Sequence, residues 1–295
     1  MKKFFYFLII PAFVITLALL ANHTKLSFSN VKDFFASVFF VDSITVDDLH
    51  NRYNTGKIKI LIVPGHDNQY GGTEFKGIRE ADLTANLGQE LLAKFKNNPR
   101  FDVSITRDRS GYLPEFQNYF ATQKSEVLKF QKSQRVLMGV YMKNGQVSTV
   151  SGVQHNNAPN LVAYRLYAIN KWANDHKIDI VIHIHFNDYA GRKAGQIGKY
   201  SGFSIYIPEN QFSNAKASKA IADKVFASLK THSQSSNLPV ENQGVIPDQD
   251  LIAIGANNSL DSAGFLVEYG YIYEPMIFTY ADDTYKGILN FFENK

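Results

Sequence analysis

The chain has 295 residues, 45% hydrophobic and 20% charged, with a formal net charge of +4. That composition describes a globular protein with a sizeable core, and so mild a basic excess does not call for nucleic acid as a partner, although weak attraction to an anionic polymer would fit. There is no cysteine, which excludes disulfides, thiolate catalysis and cysteine-based metal sites and leaves histidine and carboxylate as ligands.

Lys2 and Lys3 precede an apolar run of 18 residues, Phe4 to Ala21, interrupted by Pro11 and Thr16. A signal-peptide core runs about 7–15 residues and a spanning helix needs about 20, so this run lies between them. Ala18-Leu19-Leu20-Ala21 is a poor cleavage site, because Leu19 stands where a small residue belongs. We expect residues 1–22 to be an uncleaved membrane helix; a cleaved signal peptide or a buried core helix are the alternatives. With the lysines kept inside, the remainder is exported. It is held on the outer face of the cytoplasmic membrane, or released to periplasm or cell wall if the signal is cleaved. Residues 23–56 read as a linker with short helices at Val31 to Phe40 and Asp47 to Tyr53.

From residue 57 strands and helices alternate. Ile58 to Val63 is a continuous apolar run that stops at Pro64-Gly65, as a buried parallel strand does. Glu80 to Phe95 carries Leu83, Leu87, Leu91 and Leu92 at helical spacing. Phe101 to Ile105 is a strand, Leu161 to His176 a helix and Ile178 to His185 a β-branched strand. Phe203 to Ile207 follows as a strand, Ala215 to Leu229 as a helix and Leu251 to Ile254 as a short strand. Phe265 to Glu268 is one more strand, and Asp283 to Phe292 closes the chain as a helix. This alternation predicts an α/β fold over residues 57–295: a twisted, mostly parallel sheet of about six strands with helices on both faces.

Residues 110–160 interrupt that rhythm as an insertion. Phe116 to Met142 is helix-compatible, with Lys124, Glu126, Lys129, Lys132 and Arg135 interleaved among Val127, Leu128, Phe130, Val136 and Leu137, and Gly145 to Ala158 is a polar loop. A lid, an inhibitory plug and a packing elaboration are all open readings of it.

Four residues carry chemistry when taken together. His66 ends the first strand, Glu80 opens the next helix, and His185 and Glu268 end two further strands. Three nitrogen or carboxylate ligands with one open position, plus a separate carboxylate to take a proton, are the components of a hydrolytic zinc site. Singly each has an ordinary explanation: a turn histidine, a carboxylate at a helix N-terminus, a hydrogen-bonded core group. A histidine ending a buried strand must find a partner, since an unsatisfied buried polar group costs about 1–3 kcal/mol. His183 lies on the same sheet face as His185, and spacing alone does not choose between them, though His185 is nearer the carboxyl end.

These segments resemble the zinc-dependent N-acetylmuramoyl-L-alanine amidases, cell-wall hydrolases, from about Lys57 to Asn294. The resemblance rests on Pro64-Gly65-His66, on Glu80, on His183-Ile184-His185-Phe186-Asn187 and on Val267-Glu268-Tyr269-Gly270-Tyr271, with Ile105-Thr106-Arg107, Ala173-Asn174 and Asp179 agreeing. It implies a Zn2+ cofactor held by His66, Glu80 and His185, with Glu268 as the catalytic carboxylate. The implied reaction is hydrolysis of the amide joining N-acetylmuramic acid to L-alanine in peptidoglycan. His183 is then either a donor that orients a metal ligand or a hydrogen-bonded core histidine, and Asn187 a substrate contact or a strand-end residue. The sequence departs from the family at Val63, Asp67-Asn68, His183 and Phe186, and Arg165 stands about two turns before the expected arginine. An exported zinc peptidase using the same residues and a non-catalytic wall-binding protein are the alternatives, and a protein activator is left open.

Overall fold

The computed structural model describes residues 42–150, 152–153, 155, 158–189, 191–275 and 278–293. The apolar run Phe4 to Ala21 and the expected helix Val31 to Phe40 lie outside them. Among the described residues no helix is long and apolar enough to cross a membrane.

Six strands form the central sheet: β1 (Ile58–Pro64), β4 (Phe101–Ile105), β7 (Ile180–Asn187), β8 (Ser204–Pro208), β9 (Val245–Asp248) and β10 (Ala263–Tyr271). Their order is β4-β1-β7-β10-β8-β9. Every neighbouring pair is parallel except β10 with β8. Two short hairpins complete the strands: β2 (Glu74–Phe75) with β3 (Ile78–Arg79), and β5 (Arg107–Asp108) with β6 (Gly111–Tyr112).

The helices are α1 (Val46–Thr55), α2 (Glu80–Lys96), α3 (Pro114–Thr122), α4 (Lys124–Lys143), α5 (Asn160–Asp175), α6 (Ala215–Leu229) and α7 (Tyr280–Phe292). Thr45 and Asp48 cap α1 reciprocally. Its Leu49 is buried in the main core, and Tyr53 stacks on Phe292 of α7. That core lies on one sheet face, where Ile60, Ile62, Ile182, Ile184, Phe265 and Val267 meet α2, α6 and α7. On the other face Leu61, Val63 and Val181 meet Phe116 of α3 and Ile169, Trp172 and Ala173 of α5.

Two readings of the sequence change. Leu251 to Ile254, expected to be a strand, is a loop ending in a 3-10 turn over Ile252–Ile254. The remaining strand of the six is instead β9, whose Pro247 masked it; a proline is tolerated there because β9 is the sheet edge. The helical stretch Phe116 to Met142 divides into α3 and α4 at Gln123.

Candidate metal centre

The site forms at the carboxyl ends of β1 and β7. The chain leaves β1 through Pro64-Gly65 and turns at His66 with φ 60°. A left-handed backbone at a non-glycine residue costs about 1–3 kcal/mol and persists only where neighbours impose it. Arg107 imposes it here. Its buried guanidinium donates to the carbonyls of Pro64, Gly65 and Ala81, and Thr84 Oγ1 also donates to Gly65 O. The turn that carries His66 is thereby fastened to the first turn of α2, which carries Glu80.

Asp67 completes the turn. Its Oδ1 accepts from the amides of Gln69 and Tyr70 at 2.8 Å, and its Oδ2 accepts from Arg165 Nη1 at 2.6 Å. Arg165 also lies over the Tyr112 ring. A residue that stands off the family pattern in sequence therefore braces the loop after β1 from across the cleft.

Glu80 is the first residue of α2 and is buried. The helix start has no side-chain cap; the amides of Glu80 and Ala81 donate instead to Thr73 and Gly71 carbonyls. The Glu80 carboxylate faces both imidazoles: Oε2 lies 3.1 Å from His66 Nε2, and Oε1 lies 3.1 Å from His185 Nδ1. The amides of Thr73 and Phe186 donate to the same two oxygens. Ligand atoms from His66, Glu80 and His185 all fall within 4.8 Å of one another. Two glycines permit this closeness. A Cβ at Gly65 would overlap the His185 ring, and one at Gly72, already at φ +73°, would overlap Glu80 and His66.

Burial alone would raise the pKa of Glu80, but its bonds to His185 and then His66 hold it well below the usual carboxylate range. For His66, burial is outweighed by the bond and charge of Glu80, so its pKa rises. For His185 burial wins and the pKa falls. One ionised carboxylate between two imidazoles, in a cysteine-free chain, is a donor set that suits a divalent cation with imidazole affinity. These residues fit a metal.

The other candidates lie on the same face. Glu268 of β10 is in register with His185 on one side and Ser204 on the other. Its Oε2 is buried without a partner, and burial, then the charges of Glu80 and Glu241, push its pKa well up. His183 is one pleat deeper, 1% exposed, and burial brings it down to about 3. Neither of its ring nitrogens makes a hydrogen bond of good geometry. Asn187 donates through Nδ2 to Glu241, which also accepts from Tyr206 OH at 2.6 Å. Glu241, buried beside this group, was missed in the sequence: Pro239–Glu241 is a 3-10 turn with no pattern to mark it.

A cleft of about 980 Å³ opens at the two histidines and runs past Tyr112, Arg165, His155 and Asp250. Of α3 and α4, only Arg135 lines it among the described residues.

No curated protein sequence matches the chain. Among solved structures it is similar to the CwlD amidase from Clostridioides difficile in complex with the GerS lipoprotein, with TM-score 0.52 and 16% identity over 81% of this chain and 100% of that one. It is also similar to the N-acetylmuramoyl-L-alanine amidase from Clostridium difficile 630, with TM-score 0.49 and 16% identity over 81% and 96% of the two chains. At such identities the first likeness speaks for a shared fold only. The sequence goes further: a model of the N-acetylmuramoyl-L-alanine amidase family matches residues 60–286, most of the chain. The chain belongs to the N-acetylmuramoyl-L-alanine amidase family.

Proposed function

We propose that the chain is a zinc-dependent amidase that cuts the bond between the lactyl group of N-acetylmuramic acid and L-alanine. The observation that carries this reading is the His66–Glu80–His185 cluster, with Glu268 in strand register beside it. Zinc held by His66, Glu80 and His185 would act as a Lewis acid toward the amide carbonyl and lower the pKa of a bound water.

The protein's own part is positional and proton-handling. Glu80, kept ionised by its two imidazole neighbours, supplies the negative charge among the ligands. The partnerless Oε2 of Glu268 is free to take the proton of the attacking water and return it to the departing alanine nitrogen. The burial that raises its pKa makes it a stronger base once ionised. The cleft leading from the histidines receives the peptide stem. A cell-wall substrate also fits export, with residues 1–22 as anchor or signal.

The test uses the full chain and its Glu268→Gln variant, with zinc quantified in each before incubation with purified peptidoglycan and mass spectrometry of the products. Free stem peptides with an unblocked L-alanine amine are expected from the unaltered chain. The variant should be slower by about 10²–10⁴-fold with its zinc retained. Cuts within the stem would reassign the chain as a peptidase, and absence of zinc from both forms would remove the catalytic reading.

A further inference from the structure

Helix α4 has an outer face that the amidase reading does not use. Eleven large hydrophobic side chains are exposed among the described residues, and five of them, Leu128, Val136, Leu137, Val140 and Met142, stand on this one helix. Val127 and Met138 are its buried contacts, facing α5. At about 100° per residue, Val136 and Val140 lie within roughly 30° of the direction opposite those two, and Leu137 borders them. They are 58%, 46% and 45% exposed in that order.

Basic residues share this face. Lys129, Lys132 and Lys143 lie within roughly 50° of the same outward direction. Lys129 bonds Glu126, the helix's single acidic residue. With Lys124 and Arg135 the helix carries five basic residues against one acidic, a local +4 that equals the formal net charge of the entire chain. A face on which exposed valines and lysines alternate suits the boundary of an anionic bilayer, where lysine stems lie on apolar surface while their ammonium groups reach acidic headgroups.

We propose that the outer face of α4 docks on an anionic phospholipid surface. A second copy of the chain would set two faces of equal positive charge against each other. A soluble polyanion would engage the lysines and leave Val136, Leu137 and Val140 in water. A bilayer carrying acidic headgroups satisfies both sets together. It is also the surface that the apolar run Phe4 to Ala21 is expected to meet. Because α4 packs on α5, whose Arg165, Leu166 and Ile169 line the cleft, docking fixes the distance of the cleft from the membrane.

The chain has no cysteine, so one introduced thiol reports one position. Full-length Val140→Cys carrying an environment-sensitive fluorophore is reconstituted in vesicles of phosphatidylcholine, with or without phosphatidylglycerol. Lys219→Cys on α6, across the sheet, is the reference, and circular dichroism checks that both variants fold. A blue shift at position 140 with phosphatidylglycerol, absent at 219, is expected. It should fade as salt rises from about 0.01 M to about 0.15 M, where the Debye length falls from about 30 to about 8 Å. It should vanish when Lys129, Lys132 and Lys143 are replaced by glutamate. Four results overturn the proposal: no shift at 140, an equal shift on neutral vesicles, a shift without vesicles that grows with protein concentration, or an equal shift with a soluble polyanion.

Discussion

The two faces of the central sheet are made by the same strands and differ in kind. Along β7, Ile180, Ile182, Ile184 and Phe186 point into the main core, while Val181, His183, His185 and Asn187 point the other way. The first set sits in an unbroken apolar layer under α2, α6 and α7. The second meets imidazoles, carboxylates and a cleft. One strand thus does two jobs, because successive side chains alternate across a sheet. The lesson is that stability and chemistry are separable at neighbouring positions.

The sharpest way to test that separation is to compare His185→Ala with Ile184→Ala. On the proposed zinc reading the first should abolish metal binding and activity, and in metal-free protein should lower the thermal midpoint less than the second does, read by metal analysis beside differential scanning calorimetry. The second should cost about 2–5 kcal/mol of stability while leaving zinc stoichiometric. If both lost zinc and stability together, the two faces would not be independent. A smaller effect is expected where the faces are tied. Arg107→Lys removes the fork that joins the Pro64-Gly65 turn to α2, and zinc affinity should fall about 10–100-fold by competition titration, as for other residues that orient ligands.

The smallest effect concerns pH in metal-free protein. The folded-state pKa of Glu268 is raised, so its contribution to stability is full below the ordinary carboxylate value, about 4.3. It is lost as pH rises through the raised value, because the folded state then holds a proton that the unfolded chain has released. Glu268→Gln is neutral at every pH. Its thermal midpoint should exceed that of the parent by a margin that widens above about pH 4.3. Equal midpoints at pH 4 and pH 8 would show that Glu268 is not held neutral.

Much of the apolar face was legible in the sequence. β4 and α6 have the bounds that their patterns predict, and α2 runs one residue further than its pattern; α5, on the other face, is displaced by one residue at both ends. Continuous apolar runs and helical spacing are local signals, and this face is built from them. The site was legible as a set of residue types at element ends, but its geometry was not. Nothing in the sequence shows that Arg107 reaches back to Pro64, that Arg165 reaches Asp67, or that Gly65 is a glycine because the His185 ring rests on it. These contacts join residues far apart in the chain, and a single sequence carries no mark of them. The misread strand at Leu251 to Ile254 has the same origin: its apolar residues fill a small cluster with Tyr206 and Leu266 rather than a ladder.

The bond between Glu80 and His185 spans 105 residues. A loop of that length closes only once β1 and β7 have paired in parallel, which is among the slower events available to a chain. The clustered side chains are therefore strangers in the nascent polypeptide and become neighbours only when the sheet is complete. On the proposed reading, metal uptake by the cluster would be a census of correctly threaded molecules: a misregistered β7, one residue out of step, would turn His185 toward the isoleucines and be missing from the count.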